Sequence, residues 1–188
     1  MKEMIFSGFG GQGVLTTGNI VADVALAHDM YATWIPSYGA EMRGGRAYCI
    51  VKADPVRVGT PSLEEADVVL AMNAPSLSFA EKLRTGGVLL VNSDIIDDYR
   101  SIVSRTDIRI EEVPFDSLAR TVQNPTGANV IAAGVVVSLL GGEFDENTSV
   151  QAMKDYFAHK GKTKFEAENT NAFLLGYHYL TDKEGQNE

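Results

Sequence analysis

Cysteine is nearly absent from this 188-residue sequence, where Cys49 stands alone. One thiol excludes an internal disulfide framework and fits a reducing cytoplasm. It also falls short of the thiolate set that holds an iron–sulfur cluster. Positive charge is scarce: 16 Lys and Arg face 25 Asp and Glu, for a net charge of -9. Such a field repels phosphate backbones, so nucleic acid is not an expected partner. Long apolar runs are missing too. The longest, Val130 to Leu140, is well short of the roughly 20 residues that span a bilayer, so it reads as a buried helix and no membrane insertion is expected. Met1-Lys2-Glu3-Met4 leads straight into a strand pattern, so no secretory leader is expected and the cytoplasm is the expected location. The 45% hydrophobic and 22% charged fractions are ordinary for a globular chain, and the length suits a single domain over residues 1–188.

Periodicity supplies the architecture. Met4 to Ser7 is an apolar run stopped by glycines, as in a buried central strand. From Val14 to about His28 the pattern turns helical, with Val14, Gly18, Val21, Ala25 and His28 on one face. Further strands are expected at Tyr31 to Ile35 (ended by Pro36), Ala47 to Lys52, Val68 to Met72, Val88 to Val91 and Ile108 to Val113. Pro75 to Arg84 reads as a helix closed by Gly86-Gly87. Helices follow at Ser117 to Val122, Asn129 to Leu140, Val150 to His159 and Glu166 to Leu180, with residues 180–188 as a frayed tail. Alternating strands and helices predict an α/β fold: a Rossmann-like, doubly wound, mostly parallel sheet with helices on both faces and a helical C-terminal region.

Two glycine-rich stretches carry the candidate site. Gly8, Gly10 and Gly13 lie in the dinucleotide spacing within Ser7-Gly8-Phe9-Gly10-Gly11-Gln12-Gly13-Val14, after a strand and before a helix. Such a turn brings backbone close to a ligand and offers an anion the N–H groups and positive dipole end of a helix. The plainer reading is a tight strand-to-helix crossover. A nicotinamide cofactor fits poorly, because it expects an acid about 20 residues on, at the tip of the second strand. That tip reads Trp34-Ile35-Pro36-Ser37, and Asp29 precedes the strand. The second stretch is Ser37-Tyr38-Gly39-Ala40-Glu41-Met42-Arg43-Gly44-Gly45-Arg46. At the carboxyl ends of neighbouring strands it would lie near the first turn. Arg43 and Arg46 would then make a cationic spot suited to a carboxylate or phosphate. The plainer reading is a surface pair of Glu41 with one of the arginines, worth little.

Taken in order, Gly8-Phe9-Gly10-Gly11-Gln12-Gly13-Val14 and Pro36-Ser37-Tyr38-Gly39-Ala40-Glu41-Met42-Arg43-Gly44-Gly45 resemble the gamma subunit of 2-oxoacid:ferredoxin oxidoreductases. The similarity is densest from Ile5 to Val51 and coarser across the rest of the chain. It implies a Rossmann-like domain packed on catalytic chains in CoA-dependent oxidative decarboxylation of a 2-oxoacid to an acyl-CoA. 2-Oxoglutarate is the first expectation, ahead of branched-chain oxoacids and pyruvate. It further implies thiamine diphosphate with Mg on a beta chain, an alpha chain, a ferredoxin-like delta chain with iron–sulfur clusters, and ferredoxin as acceptor. The Gly-Asp-Gly triplet of thiamine-binding chains does not occur here, so the chemistry is expected on partners and none from this chain alone. From residue type and placement, Gly10, Gly11, Gln12 and Gly13 would form the close-approach turn, and Arg43 the anion contact or inter-subunit anchor, oriented by Tyr38 and Glu41. Gly8, Gly44 and Gly45 complete the candidate ligand or subunit contacts. The rival is a stand-alone nucleotide- or CoA-binding module without catalysis.

The remaining polar residues read as structural. Cys49, between Tyr48 and Ile50, reads as a buried small hydrophobe. His28, His159 and His178 lack metal-type spacing, and Asp94, Asp97 and Asp98 read as an acidic loop and helix start rather than a metal site. Asn129, after the turn at Asn124-Pro125-Thr126-Gly127, either caps the following helix or reaches toward the site; capping is the favoured reading. No catalytic residue is assigned.

Overall fold

The computed structural model describes residues 1–39, 45–57, 59–60 and 62–185. The order is β1 (Lys2–Phe9), α1 (Val14–Ala27), β2 (Tyr31–Tyr38), β3 (Arg46–Asp54), β4 (Ala66–Ala71), a 3-10 segment (Ala74–Lys82), β5 (Leu83–Asn92), β6 (Arg109–Val113), α2 (Phe115–Thr121), α3 (Ala128–Leu140), α4 (Glu146–His159), a 3-10 turn (Thr163–Phe165) and α5 (Glu166–Gly185). The strands form one sheet in the order β2-β3-β1-β4-β5-β6. β1, β4, β5 and β6 run parallel, as alternating strands and helices predict.

The departure lies at the β2 end. The connection from Tyr38 to Arg46 is too short for a crossover, so β2 and β3 pair as an antiparallel hairpin, and β3 inserts antiparallel beside β1. β2 therefore runs in the direction of β1 but is not its neighbour. It also continues through Pro36, which stands opposite Cys49. An edge strand tolerates this because a proline there need not supply a ladder N–H. All strand ends that matter to a ligand, Phe9, Tyr38, Ala71, Asn92 and Val113, share one edge of the sheet.

The two faces are covered unequally. One carries a large core built from α1 to α5 on Met4, Phe6, Cys49, Val51, Leu70 and Leu90. The other buries Ile5, Val69, Leu89 and Val91 beneath Leu77 and Ala80 of the 3-10 segment and Ile96, Tyr99 and Val103 of a loop. The helix expected from Pro75 to Arg84 is thus a 3-10 segment ending at Lys82. Leu83 already pairs with Ala66, and Gly86 (φ 77°) lies inside β5 rather than closing a helix. On this thinner face Lys52, 1% exposed, is ion-paired to Glu3 at 2.7 Å across β3 and β1.

α3 is apolar on all sides and buried between α1, α2 and α5, as its composition predicts. α5 runs to Gly185, beyond the expected fraying point near Leu180. Lys183 bonds Glu111 at 3.0 Å and Glu184 meets Arg109 at 3.2 Å, so β6 holds the last turns. α3 and α5 touch through backbone. A Cβ on Gly134 would lie 2.2 Å from the Phe173 carbonyl oxygen, and one on Gly176 would lie 2.1 Å from that of Ile131. Neither neighbour is a side chain that could swing away. Gly134→Ala is expected to cost about 2 kcal/mol through forced helix separation, read as a lower urea midpoint with unchanged slope.

Candidate functional site

The chain leaves β1 for α1 on the large face and leaves β4 for the 3-10 segment on the other face. Neighbouring parallel strands whose connections part to opposite faces open a crevice at their carboxyl ends, the usual ligand position in open α/β sheets. Here the crevice, of about 380 Å³, is lined by Gly11, Gln12 and Gly13, by Met72 after β4, by Asp116 of α2, and by Pro125, Thr126, Ala128 and Asn129.

The glycine turn is held from inside. Gln12 Oε1 accepts from the Phe9 N–H at 2.7 Å and from Asn73 Nδ2 at 3.2 Å, while Gln12 Nε2 donates to the Met72 carbonyl at 2.8 Å. Asn73 in turn caps the 3-10 segment through the Ser76 N–H, and Ser76 Oγ donates to Asn73 Oδ1 and lies 2.9 Å from Ser7 Oγ. Gln12 is therefore the strut that fixes the turn against the end of β4. Gly8 lies within β1, and Gly10 and Gly11 are exposed at the crevice mouth. Among the described residues the N–H groups of Gly11 and Gly13 have no hydrogen-bond partner, whereas Gly10 and Gln12 spend theirs on Gly45 and Phe9.

That Gly10–Gly45 bond, 3.0 Å from N to O, joins the first glycine stretch to the second, and Gly39 N–H to Arg46 O at 2.7 Å closes the hairpin base. Gly45 is buried, Tyr38 is 69% exposed and Phe9 is 40% exposed, so aromatic surface flanks the junction. Glu41, Arg43 and Gly44 lie outside the described residues. Arg46 points elsewhere: its guanidinium reaches the Pro75 carbonyl at 3.3 Å and lies over the Phe79 ring.

Two helices begin at this crevice without side-chain caps. α1 starts at Gly13 and α3 at Gly127, and neither has an acid in its first turn. Both positive dipole ends are free to act on an anion. Asn129 does not cap α3, contrary to the favoured sequence reading, because Gly127 occupies the cap position. A second-position residue faces sideways, and here it packs on Gly13, where a Cβ would lie 2.8 Å from the Asn129 side chain. Thr17 Oγ1 donates to the Asn129 carbonyl at 2.9 Å and fixes the two helix starts together.

Other polar residues are accounted for. Asp94 does not start a helix of its own. It accepts from Ser117 N–H at 2.6 Å and Ser117 Oγ at 2.7 Å, capping α2 across the loop, and despite some burial these bonds hold its carboxyl below the usual range. His28 closes α1, bonding the Val24 carbonyl at 2.8 Å, and His178 pairs with Glu146 at 2.8 Å. The region that sequence reading missed is a larger cleft of about 610 Å³ adjoining the crevice through Pro125, Thr126 and Asn129. Its lysines, Lys162 and Lys164, belong to the run His159-Lys160-Gly161-Lys162-Thr163-Lys164, a basic signal diluted by the acidic average of the chain.

Cys49 is fully buried beneath Gly18 and Trp34, and desolvation pushes its thiol up to about 12. Alkylation is expected only on unfolding. Because the folded thiol keeps its proton while the unfolded one loses it near 9.0, its stabilising contribution is complete below pH 9 and falls as pH rises from there toward about 12. At the turn, Gly13 has φ 75°, a left-handed conformation costly for alanine. Gly13→Ala is expected to lose about 1–3 kcal/mol, measured by denaturant titration. Adding Asn129→Ala should restore only the part due to overlap with the carboxamide, because the Asn129 Cβ, also 2.8 Å away, and the backbone part remain.

Comparison with known proteins identifies the family and the fold. The family model described as pyruvate ferredoxin/flavodoxin oxidoreductase matches residues 3–179. Ketoisovalerate oxidoreductase subunit VorA of Methanothermobacter thermautotrophicus is 36% identical over 157 residues, 83% of this chain and 32% of that protein. The chain thus spans about a third of the length of its VorA relatives. 2-Oxoglutarate synthase subunit KorC of Methanothermobacter marburgensis is 29% identical, covering 93% of this chain and 94% of its own. Among solved structures, the keto/oxoacid ferredoxin oxidoreductase gamma subunit of Geobacter sulfurreducens superposes with a TM-score of 0.78 at 26% identity, over 97% of this chain and 99% of that one. With a family model covering nearly the whole sequence and a matching fold, the chain belongs to the pyruvate ferredoxin/flavodoxin oxidoreductase family.

Proposed function

We propose that this chain is the gamma subunit of a CoA-dependent 2-oxoacid:ferredoxin oxidoreductase, with 2-oxoglutarate as the preferred oxoacid. The observation that carries the proposal is the Gly10–Gly45 hydrogen bond, which unites both glycine stretches at one edge of the sheet beside the crevice. The assignment of 2-oxoglutarate draws support from the KorC relative, whose match runs almost end to end in both chains. A solved 2-oxoglutarate:ferredoxin oxidoreductase from Magnetococcus marinus, bound to 2-oxoglutarate, coenzyme A and succinyl-CoA, shares the fold with a TM-score of 0.80 at 21% identity.

The residues of this chain do not fit the redox groups of such an enzyme. Its one thiol is sealed in the core and protonated, so it cannot ligate an iron–sulfur cluster. On the proposed assignment, thiamine diphosphate and Mg are held by the beta chain and the clusters by partner chains including a ferredoxin-like delta chain, beside an alpha chain, with ferredoxin as acceptor. What this chain contributes is a shaped rim. The amides of Gly11 and Gly13, unpaired among the described residues, and two helix starts without side-chain caps suit the anionic groups of CoA, while exposed Phe9 and Tyr38 suit a partner surface. Arg43 supplies a guanidinium to CoA or to the partner chain.

The test is co-purification of the chain with its partners, followed by assay of 2-oxoglutarate, branched-chain oxoacids and pyruvate with CoA and a viologen. In the assembled enzyme Arg43→Ala is expected to lower kcat/KM for CoA by about tenfold, the worth of one charge-assisted hydrogen bond. Unchanged CoA kinetics together with unchanged assembly would remove Arg43 from the site. Failure to recover thiamine-bearing partners would remove the subunit role.

A further inference from the structure

The 610 Å³ cleft beside the crevice has its own chemistry. It lies between the turn before α3 and the α4–α5 connection. Its floor holds two carboxamides from distant parts of the chain: Asn124, 7% exposed, donates through Nδ2 to Oδ1 of Asn169, 8% exposed, at 2.9 Å. Thr126 Oγ1 donates to Asn124 Oδ1 at 3.3 Å. The Asn169 Nδ2 group has no partner among the described residues, although the residue is more than nine-tenths buried and lines the cleft. That amide is reached from the cleft rather than sealed beneath it, so it can donate to an acceptor placed there.

The walls and rim point to the class of occupant. Phe157, Phe165 and Val130 give apolar surface, and Phe165 is 53% exposed with the Lys164 ammonium 5.4 Å from its ring centre. Lys162 and Lys164 line the rim, and neither forms an ion pair with a described residue. The single carboxylate in the lining is the half-buried Glu168. In a chain of net charge -9, an excess of cation around a cleft with an aromatic wall and a free amide donor is locally specific.

We infer that this cleft binds a phosphorylated ligand carrying a planar ring, with Lys162 and Lys164 on the phosphates and Asn169 donating to the ring or its sugar. A free adenine nucleotide and the nucleotide end of CoA share that chemistry. The inference uses only the groups of the cleft; for a free nucleotide it stands apart from the oxidoreductase role, and for CoA it rests on that reading.

Isothermal titration of the full chain with ADP, CoA and inorganic phosphate tests it, alongside the double variant Lys162→Gln/Lys164→Gln. Both lysines are exposed, so the variant should fold as wild type, checked by circular dichroism. Saturable binding of ADP or CoA, weakened at least about tenfold in the double variant, is the expected result. Binding of both would identify the nucleotide moiety as sufficient; binding of CoA alone, still dependent on the lysines, would identify CoA as the source. Asn169→Ala should weaken ring-bearing ligands and leave phosphate unaffected. Binding that ignores the lysine pair, or none of ADP, CoA or phosphate at millimolar concentration, overturns the inference. Loss of oxidoreductase activity with intact ADP binding would count only against the proposed function.

Discussion

The site depends on one carboxamide. Two parallel strands whose chains depart to opposite faces have nothing covalent to keep their ends in register, and the gap between β1 and β4 is where a ligand would enter. Gln12 spans it, accepting from the β1 end at Phe9 and from Asn73, and donating to the carbonyl that follows β4. Its hydrogen bonds are spent on the protein, and among the described residues the amides of Gly11 and Gly13 have no partner. A rigid turn with free N–H groups costs a ligand little ordering on arrival, which is the value of preorganisation. The same carboxamide meets Asn73, which caps the 3-10 segment, so the thinner face is tied to the turn as well.

Against that constraint, the rest of the molecule divides the labour. The large face supplies stability through α3, which is apolar all round and packed backbone to backbone on α5 at Gly134 and Gly176. The thinner face carries the buried Lys52–Glu3 pair, with the Lys52 ammonium also donating to the Ser62 carbonyl. Neither feature reaches the carboxyl edge. The crevice can thus keep unpaired amides and two uncapped helix starts that would be liabilities in a core.

Much of this was legible in the sequence, for physical reasons specific to each element. Gly8, Gly10 and Gly13 after an apolar run announce a strand, a tight turn and a helix, because few other residues permit that path. Val130 to Leu140 announces a buried helix because it has no polar face. The antiparallel insertion of β3 was not legible, since a strand's direction is set by how far its connection can reach, and the Gly39–Gly45 loop reads equally as a ligand loop. The argument against a nicotinamide site rested on the missing acid at the β2 tip. The structure adds a geometric reason: β3 stands between β2 and β1. Asparagine before an apolar run signals a cap, yet in the fold Gly127, two residues earlier, takes that position. The large cleft was invisible because Asn124 and Asn169 lie 45 residues apart.

Both ends of the described chain sit away from the crevice. The Met1 ammonium pairs with Asp54 at 2.9 Å, and the last turns of α5 are held by Glu111 and Arg109 near the start of β6. Polypeptide added at either end would leave from the opposite rim of the sheet. Such a domain can be strung into a longer protein, consistent with its match to about a third of the VorA relatives, without a linker crossing the mouth of its site.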